Sequence, residues 1–563
     1  MDKWNVARAL DEIATYLELS EPNRFKSLAF ERAAKALTTL DGDLEDLVAS
    51  RDLYKTAGIG ERTGAVIEEL LSTGRSRYLE ELRKQYPPGI FELLRVPGLG
   101  LKKIGILFQK LGIGSLDELE TACRANRLTT LRGFGAKTQQ KILEGIEKAR
   151  RNESRFLLPA GMEIAETLRE RLASIDEVEN AEISGSIRRR LEVIRNVNIV
   201  IATRQPARVM RALPRIVERF EGIDKKTAKG VARNEMDVWF HLATPEEFGS
   251  AMLRTTGSSE FVAAFHERAG EHVAAKEEEL FRRARIPFIA PERRENADDL
   301  RLKKRRSLVE LSDLRGTFHV HTTWSDGRNT VLEMLSAARQ RDFEYVGISD
   351  HSKTAYYAGG LTVERLKEQQ AEIDQRKREV KPLRVFKGTE VDILSAGAID
   401  YDDATLATFD FAIASIHSKF AMPKDEMTER ILRALDNPFV TFLGHLTGRL
   451  LLSRDGYTME FDRVFEKAAQ RGVMIEINGN PRRLDIDWRL VGRALERGVR
   501  FGIHPDAHSI HEYASLISGT WAARKAGLSP KEIFNTKPVD EVADYLAERK
   551  KRARQRVFAA PDA

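Results

Sequence analysis

The chain has 563 residues, and at about 150 residues per domain it is expected to form three or four units instead of one core. Hydrophobic residues make up 42% and charged residues 32%, with 18 prolines and 38 glycines, which excludes a mainly disordered, collagen-like or low-complexity chain. Lysine plus arginine (92) exceeds aspartate plus glutamate (86) by 6, a bias that fits a nucleic-acid partner without identifying one.

The start, MDKWNVARALDEIATYLEL, mixes charge with apolar residues where a signal peptide has an apolar core, and no run of about 18 uncharged apolar residues occurs anywhere. A soluble, unexported protein with no membrane partner is expected. Val6, Leu10, Ile13 and Leu17 step by four, three and four, which predicts a helix with one apolar face, and helical patterns continue to about residue 150. The single cysteine, Cys123, can form neither an intrachain disulfide nor a thiolate metal site, so any metal must be held by His, Asp and Glu.

Inside the helical region one phrase recurs three times: AGIGERTGAVIEEL with Gly58 and Gly60, VPGLGLKKIGILF with Gly98 and Gly100, and LRGFGAKTQQKIL with Gly133 and Gly135. Each is Gly, apolar, Gly, helix. Glycines let the backbone turn tightly and approach a phosphate, and the following helix start aims unpaired N–H groups at it. Lys102, Lys103 and Lys137 follow the glycines, so these hairpins are expected to grip a DNA backbone without reading bases.

From about 155 to 245 short β-rich runs (EVENAEISGS, VNIVIAT, MDVWFHL) alternate with helices, predicting a mixed α/β unit, and helices and loops follow to about 290. The stretch from Pro291 to Leu308 is dense in charge and reads as a linker; its basic run Lys303–Arg306 is read either as solvated or as a nucleic-acid contact.

Beyond residue 312 short apolar strands alternate with amphipathic helices: EYVGISDH, RVFKGTEVDIL, FDFAIASIH, FVTFLGH, VMIEING and FGIHPDAH. Repeated βα units over some 245 residues predict a parallel barrel, whose active site lies at the mouth formed by the strand C-termini. Strand ends here carry His319, His321, His351, Glu390, His417, His445, Asp506 and His508, with Asp326 just beyond the first strand. The i, i+2 pairs His319/His321 and Asp506/His508 each put two side chains on one side of an extended segment. Nine such donors exceed the about four to six that one ion takes, so two or three metals bridged by carboxylate are expected, with Mn²⁺, Zn²⁺ or Fe²⁺ suited to the mixture. Phosphoester hydrolysis is the chemistry such a cluster performs, with the nine residues as its catalytic machinery. Arg449 in HLTGR is a candidate phosphate clamp or a rim salt bridge, and the basic tail Lys550–Arg556 either holds DNA near the barrel or is a solvated helix end.

With FHVHTTWSDG, ISDHS, GTEVDIL, SIHS, GHLTGRLL, EINGNPRRLDI and DAHS, the segment from 313 to about 540 resembles the polymerase and histidinol phosphatase (PHP) domain of bacterial family X DNA polymerases. The resemblance implies a distorted (β/α)7 barrel, the nine residues as metal ligands, and Mn²⁺-dependent 3′ to 5′ exonuclease and 3′-end processing in DNA repair, including base excision repair. Thr317 and Leu446 depart from the family pattern at positions that are not ligands.

Residues 1 to about 290 resemble the other half of that family, so the chain divides into a helical DNA-binding domain (1–75), helix-hairpin-helix fingers (76–150), a nucleotidyltransferase-like palm (151–245), a thumb (246–290), a charged linker (291–312) and the PHP domain with its tail (313–563). The whole is multidomain, α and α/β. In GSIRRRLEVIRNVNIV, Gly185, Ser186 and Arg189 resemble the triphosphate-binding turn, but Asn196 and Asn198 stand where the family has two aspartates, and only Asp237 matches the third carboxylate. Amides coordinate Mg²⁺ weakly, so Mg²⁺ binding at the palm and templated synthesis are expected to be poor unless Glu192 or another carboxylate substitutes. In TGSSE, Thr256–Glu260, the residues that follow (Phe261, Val262, Phe265, His266) also depart from the nucleotide pocket, and Val66 stands where relatives with sugar-phosphate lyase activity place a lysine. The expectation is a cytoplasmic, nucleoid-associated bacterial repair protein that binds gapped, nicked or recessed 3′ ends and trims them in the barrel. The alternatives are an active gap-filling polymerase with PHP proofreading, a non-enzymatic DNA-binding scaffold and a small-molecule phosphatase.

Overall fold

Val6, Leu10, Ile13 and Leu17 are all buried on one face of a helix spanning Lys3–Ser20, so the apolar stripe alone positions the first element. The computed structural model describes residues 3–20, 24–38, 44–232, 235–301 and 307–558, in two units, Met1–Glu153 and Ser154–Ala563. The first unit is helical. Its helices Glu61–Thr73, Leu101–Leu111 and Ala136–Arg151 begin at Gly60, Gly100 and Gly135, the second glycine of each repeated phrase. The apolar residue between the glycines is the anchor: Ile59, Leu99 and Phe134 are buried.

The second unit starts with a two-residue ribbon, β1 (Phe156–Leu157) paired with β3 (Val193–Ile194). A five-stranded sheet follows, formed by β2 (Asn180–Ser184), β4 (Asn196–Ala202), β5 (Arg219–Gly222), β6 (Thr227–Val231) and β7 (Asp237–Ala243) in the order β2-β4-β7-β6-β5. Only β4 and β7 run parallel, and their register sets Asn196 opposite Asp237.

The charge-dense stretch after Pro291 is not a solvated linker along its described part. Arg294 is 0% exposed and pairs with Glu277, Arg293 pairs with Asp299, Glu292 accepts from Arg524, and Glu295 pairs with Lys525 at 2.7 Å. Opposite charges pair with each of these four residues, so the segment packs where an unpaired charged one would stay in water. The basic run Lys303–Arg306 lies outside the described residues.

Seven parallel strands then follow in sequential order: β8 (Gly316–Val320), β9 (Tyr345–Ile348), β10 (Arg384–Asp392), β11 (Phe411–Ser415), β12 (Val440–Leu443), β13 (Met474–Asn478) and β14 (Phe501–His504). They form a nearly closed, distorted (β/α)7 barrel. The seam between β8 and β14 is stitched by Asn535, whose amide donates to the carbonyls of Gly316 and Ile503 and accepts from the Ile503 N–H, while Val320 and Ala507 bridge the seam toward the mouth. Phe318, Tyr345, Phe386, Phe411, Phe442 and Phe534 fill the base of the barrel and pack against Val542 and Leu546 of the final helix, Val539–Phe558. That helix therefore plugs the N-terminal end of the strands, and the basic residues Lys550–Arg556 sit on the face away from the mouth. The tail does not place positive charge beside the strand ends.

Candidate metal centre

All nine predicted donors converge at the C-terminal mouth of the barrel. One group, His321, Asp326, His351 and His508, has donor atoms within 4.8 Å of one another; three more groups, His319/Glu390/His445, His319/His321/Asp506 and His351/Glu390/His417, share members with it or with each other. Glu390, at the end of β10, is central: its carboxylate lies 2.9 Å from His445, 3.0 Å from His351, and 3.3 Å from both His319 and His417. Asp506 faces His319 and His321 at 3.5 Å each, and Asp326 faces His508 at 3.3 Å and His351 at 3.6 Å. His319 Nε2, both ring nitrogens of His321, His351 Nδ1 and His445 Nδ1 are buried without a hydrogen-bond partner among the described residues. Buried imidazole nitrogens left unpaired among carboxylates fit a set of divalent-metal ligands, and the overlapping groups fit two or three ions.

The backbone holds this geometry at some cost. His319, His445 and Asp506 have φ of +61°, +24° and +53°, a left-handed region that side chains other than glycine seldom occupy, at about 1–3 kcal/mol each. A second layer of acids, which the sequence reading did not single out, fixes them. Glu476 on β13 is fully buried; it accepts from His319 Nδ1, from the His445 N–H at 2.6 Å and from the Asn478 amide at 3.1 Å, and its Oε1 lies 3.1 Å from His504 Nδ1. Asp392 takes His417 Nδ1 at 2.5 Å. Asp350 accepts from the N–H and hydroxyl of Thr322 and the hydroxyl of Ser325, which pins the loop carrying Asp326. Carboxylates behind metal-facing imidazoles fix the tautomer so that the other nitrogen points at the ion. The signals were present: Asp392 stands two residues after Glu390 on the same strand, and Glu476 is an acid between Ile475 and Ile477 on a fully buried strand.

The electrostatics agree with a cation-binding role. Burial pushes Glu390 up, but His417, His319 and His351 together hold it well below the carboxylate range; Asp506 is held down in the same way by His319, His321, His508 and Arg483. Burial would lower His417 and His508, yet Glu390 and Asp392 raise the first, and Asp326 and Asp506 the second, to about 9. His321, buried beside His508 and His351, falls to about 4. Protons here balance the acids, a role that divalent cations fill with every imidazole neutral.

Arg449, read as a phosphate clamp or a rim salt bridge, is engaged within the protein. It pairs with Asp487 and donates to the carbonyls of Arg483 and Leu484, so it braces the loop beneath the rim. The cation that faces the cluster is Arg483, with Nε 3.5 Å from Asp506. Thr317, one of the two departures from the family pattern, donates to the Ile503 carbonyl at the barrel seam, and Leu446, the other, is buried in the core.

In the palm the structure keeps Asn196, Asn198 and Asp237 side by side but gives them other partners. Asn198 donates to Asn196 at 2.8 Å and lies 3.0 Å from His241, while Lys229 sits 3.0 Å from Asp237. The lone carboxylate thus faces an ammonium. Gly185 keeps the turn, with φ +68° and its α-carbon packed against Asn198, and Ser186 follows it in the short helix Gly185–Arg188. Arg189 is not turned toward a phosphate: it pairs with Glu295 at 2.8 Å and donates to the Thr256 carbonyl. Its neighbours are similarly held, Arg188 by Glu277 and Arg190 over the Trp521 ring. Glu192, the carboxylate that could substitute, is engaged elsewhere: Arg489 at 2.7 Å and Trp488 bind it. Ser258 of TGSSE caps the next helix, and Phe261 and Phe265 enter the thumb core. Val66 is buried in its helix and presents no nucleophile.

In the first unit the three hairpins share one geometry. Gly58, Gly98 and Gly133 have φ of +96°, +80° and +91°, and the space beside Gly60, Gly98, Gly100, Gly133 and Gly135 is open. Lys102 and Lys137 are exposed next to these turns, whereas Lys103 donates back to the Gly98 carbonyl.

Comparison with known proteins bears on all three regions. Residues 1–76 match a helix-hairpin-helix domain, 90–148 a SAM-like helix-hairpin-helix tandem and 317–480 the PHP domain. A Bacillus subtilis protein named DNA polymerase/3′-5′ exonuclease PolX is 35% identical, across 97% of this chain and 99% of its own length. Probable phosphatases of Caldanaerobacter subterraneus (28% identical) and Photobacterium profundum (27%) each match 42% of this chain, over 91% and 94% of their own lengths.

Proposed function

The chain belongs to the bacterial family X DNA polymerases that carry a C-terminal PHP domain, and from that premise we propose that its working centre is the barrel mouth, acting as a metal-dependent 3′ to 5′ exonuclease and 3′-end-processing phosphodiesterase. The convergence of nine donors around Glu390, with buried imidazole nitrogens left unpaired, carries this reading. His321, Asp326, His351 and His508 would hold one ion, and His319, Glu390, His417, His445 and Asp506 the one or two others. Manganese is the expected metal, with zinc or iron as chemically suited substitutes. Bound there, the metals would activate water at neutral pH and offset charge on the leaving oxygen. The protein's own part is to orient: Glu476 and Asp392 fix the imidazoles, Asp350 holds the Asp326 loop, and Arg483 offers a guanidinium to the incoming phosphate.

The first unit then acts as a grip on gapped, nicked or recessed duplex through its three glycine hairpins, and the palm is retained as a DNA clamp. In the palm, amides and an ammonium–carboxylate pair replace a three-carboxylate magnesium site, so synthesis is weak or lost. Retained gap-filling synthesis is the second reading, favoured by the near full-length match to a relative named as a polymerase. No helix among the described residues is long and apolar enough to cross a membrane, and a cytoplasmic, nucleoid-associated repair role follows from the proposed substrate. Digestion of a 3′-labelled gapped duplex with Mn²⁺ tests the reading: His351→Ala abolishes cleavage and Asp237→Ala leaves it intact. Cleavage surviving His351→Ala refutes the assignment, and robust Asp237-dependent primer extension with dNTPs refutes loss of synthesis.

A further inference from the structure

Two large aromatics stand in water in the loop that leaves the metal centre at His351, and the second of them borders the cluster. Tyr356 is 88% exposed and Tyr357 69% exposed, in the loop that follows His351. Such rings usually avoid solvent unless something covers them in use. The loop is not loose. Its ends are bridged by Ser352 and Leu361, Asp400 takes the Ser352 hydroxyl at 2.7 Å and the Thr354 N–H at 3.1 Å, and Arg365 ties the Gly359 carbonyl to that of Trp324. The backbone beneath both rings is therefore fixed, and the Tyr357 ring centre lies 6.1 Å from the rings of both His351 and His417.

We propose that Tyr356 and Tyr357 form a stacking platform that receives the base of the 3′-terminal nucleotide once it has left the duplex. The inference rests on the exonuclease reading. A phosphate at the His351 and His417 edge of the cluster brings its own sugar and base over the neighbouring tyrosines. Stacking needs only a flat apolar ring and no base-specific hydrogen bond, which matches a site that must accept all four bases. A protein partner is the less suitable occupant, because the rings border a cluster of imidazoles, carboxylates and Arg483 that suits a phosphodiester.

The test uses the full chain in two arms. In the first, chelator-treated protein is mixed with a duplex ending in an unpaired 3′-terminal 2-aminopurine, whose fluorescence falls on stacking. We expect quenching by the wild type, loss of quenching with the Tyr356→Ala/Tyr357→Ala double variant, and its retention with Tyr356→Phe/Tyr357→Phe. In the second, Mn²⁺-loaded proteins cleave 3′ ends bearing either a base or an abasic tetrahydrofuran residue. Stacking of about 1–3 kcal/mol per base predicts that the wild type favours the base-bearing end in kcat/KM by about 5- to 150-fold and that the alanine pair brings this ratio toward one. An unchanged ratio, or equal quenching by wild type and alanine variant, overturns the platform while leaving the exonuclease reading intact. If the wild type releases nothing from either end, the exonuclease reading fails and the quenching arm alone decides the stacking.

Discussion

Replacing Glu476 by glutamine keeps the side-chain shape and removes the charge behind the metal centre. In the structure that carboxylate serves the His319 and His504 rings on one oxygen and the His445 N–H and Asn478 amide on the other. Glutamine has a single acceptor oxygen, so either the imidazole side or the His445 backbone side must face an NH₂ group. Loss of a carboxylate behind a metal-bound imidazole weakens metal affinity about 10- to 100-fold, or about 1.4–2.8 kcal/mol. The effect is selective, because His319 and His445 belong to the donor groups around Glu390 and Asp506, while the group of His321, Asp326, His351 and His508 contains neither. Calorimetric Mn²⁺ titration and metal analysis after dialysis are expected to show one ion class weakened and another retained. Asp392→Asn, behind His417, is expected to weaken an ion as well while leaving the His445 backbone contact intact. Equal stoichiometry and affinity in wild type and Glu476→Gln would refute the claim that this acid tunes the centre.

Lys525 is buried where a barrel helix meets the palm turn, and burial pulls it from the ordinary 10.5 to about 8 despite Glu295 beside it. Between those pH values the unfolded chain keeps a proton that the folded chain has lost, so this residue raises stability with increasing pH, by about 3 kcal/mol across the window. Lys525→Met removes that rise, read as the change in urea-unfolding free energy between pH 7.5 and 10.5; the same pH slope in both proteins refutes the assignment. Asn196→Asp/Asn198→Asp restores three neighbouring carboxylates and is expected to add Mn²⁺ binding at the palm, detectable by calorimetry in a His351→Ala background, and an unchanged stoichiometry shows that the amides were not the obstacle. Lys102→Glu and Lys137→Glu are each expected to weaken duplex binding regardless of sequence and to lower the salt slope by about one, measured by fluorescence anisotropy from 50 to 200 mM salt.

The barrel was legible in the sequence because its chemistry is periodic: a short apolar strand followed by His, Asp or Glu recurs, and a parallel barrel sends every such end to one mouth. The glycine hairpins were legible for the same reason, a local phrase repeated three times. What escaped depends on partners distant in sequence. Along the chain Arg449 was singled out for phosphate and Arg483 was not, but the fold shows the first locked onto Asp487 and the second beside Asp506. The stretch after Pro291 looked solvated because Glu292 and Glu295 find their partners on a helix more than 200 residues away.

The same long-range pairing bears on what the palm can regain. GSIRRR supplies three arginines at a turn suited to a triphosphate, yet each guanidinium is committed, to Glu277, Glu295 and the Trp521 ring, and Lys525 takes the Arg189 carbonyl. Glu192, two residues beyond Arg190, is held by Arg489 of the barrel. Ion pairs buried against helix and sheet are costly to break from one side, since the partner is left charged and unpaired. Charge lost at Asn196 and Asn198 can return with two substitutions, whereas freeing Arg189 also requires Glu295 and Lys525 to find other partners. Metal binding and nucleotide binding in the palm are therefore separable: the Asn196→Asp/Asn198→Asp protein is expected to take up metal and still extend primers poorly, and adding Glu295→Gln, which loosens Arg189, is the change expected to raise extension further. Full extension by the double variant alone would show that the ion pairs at the turn do not restrain it.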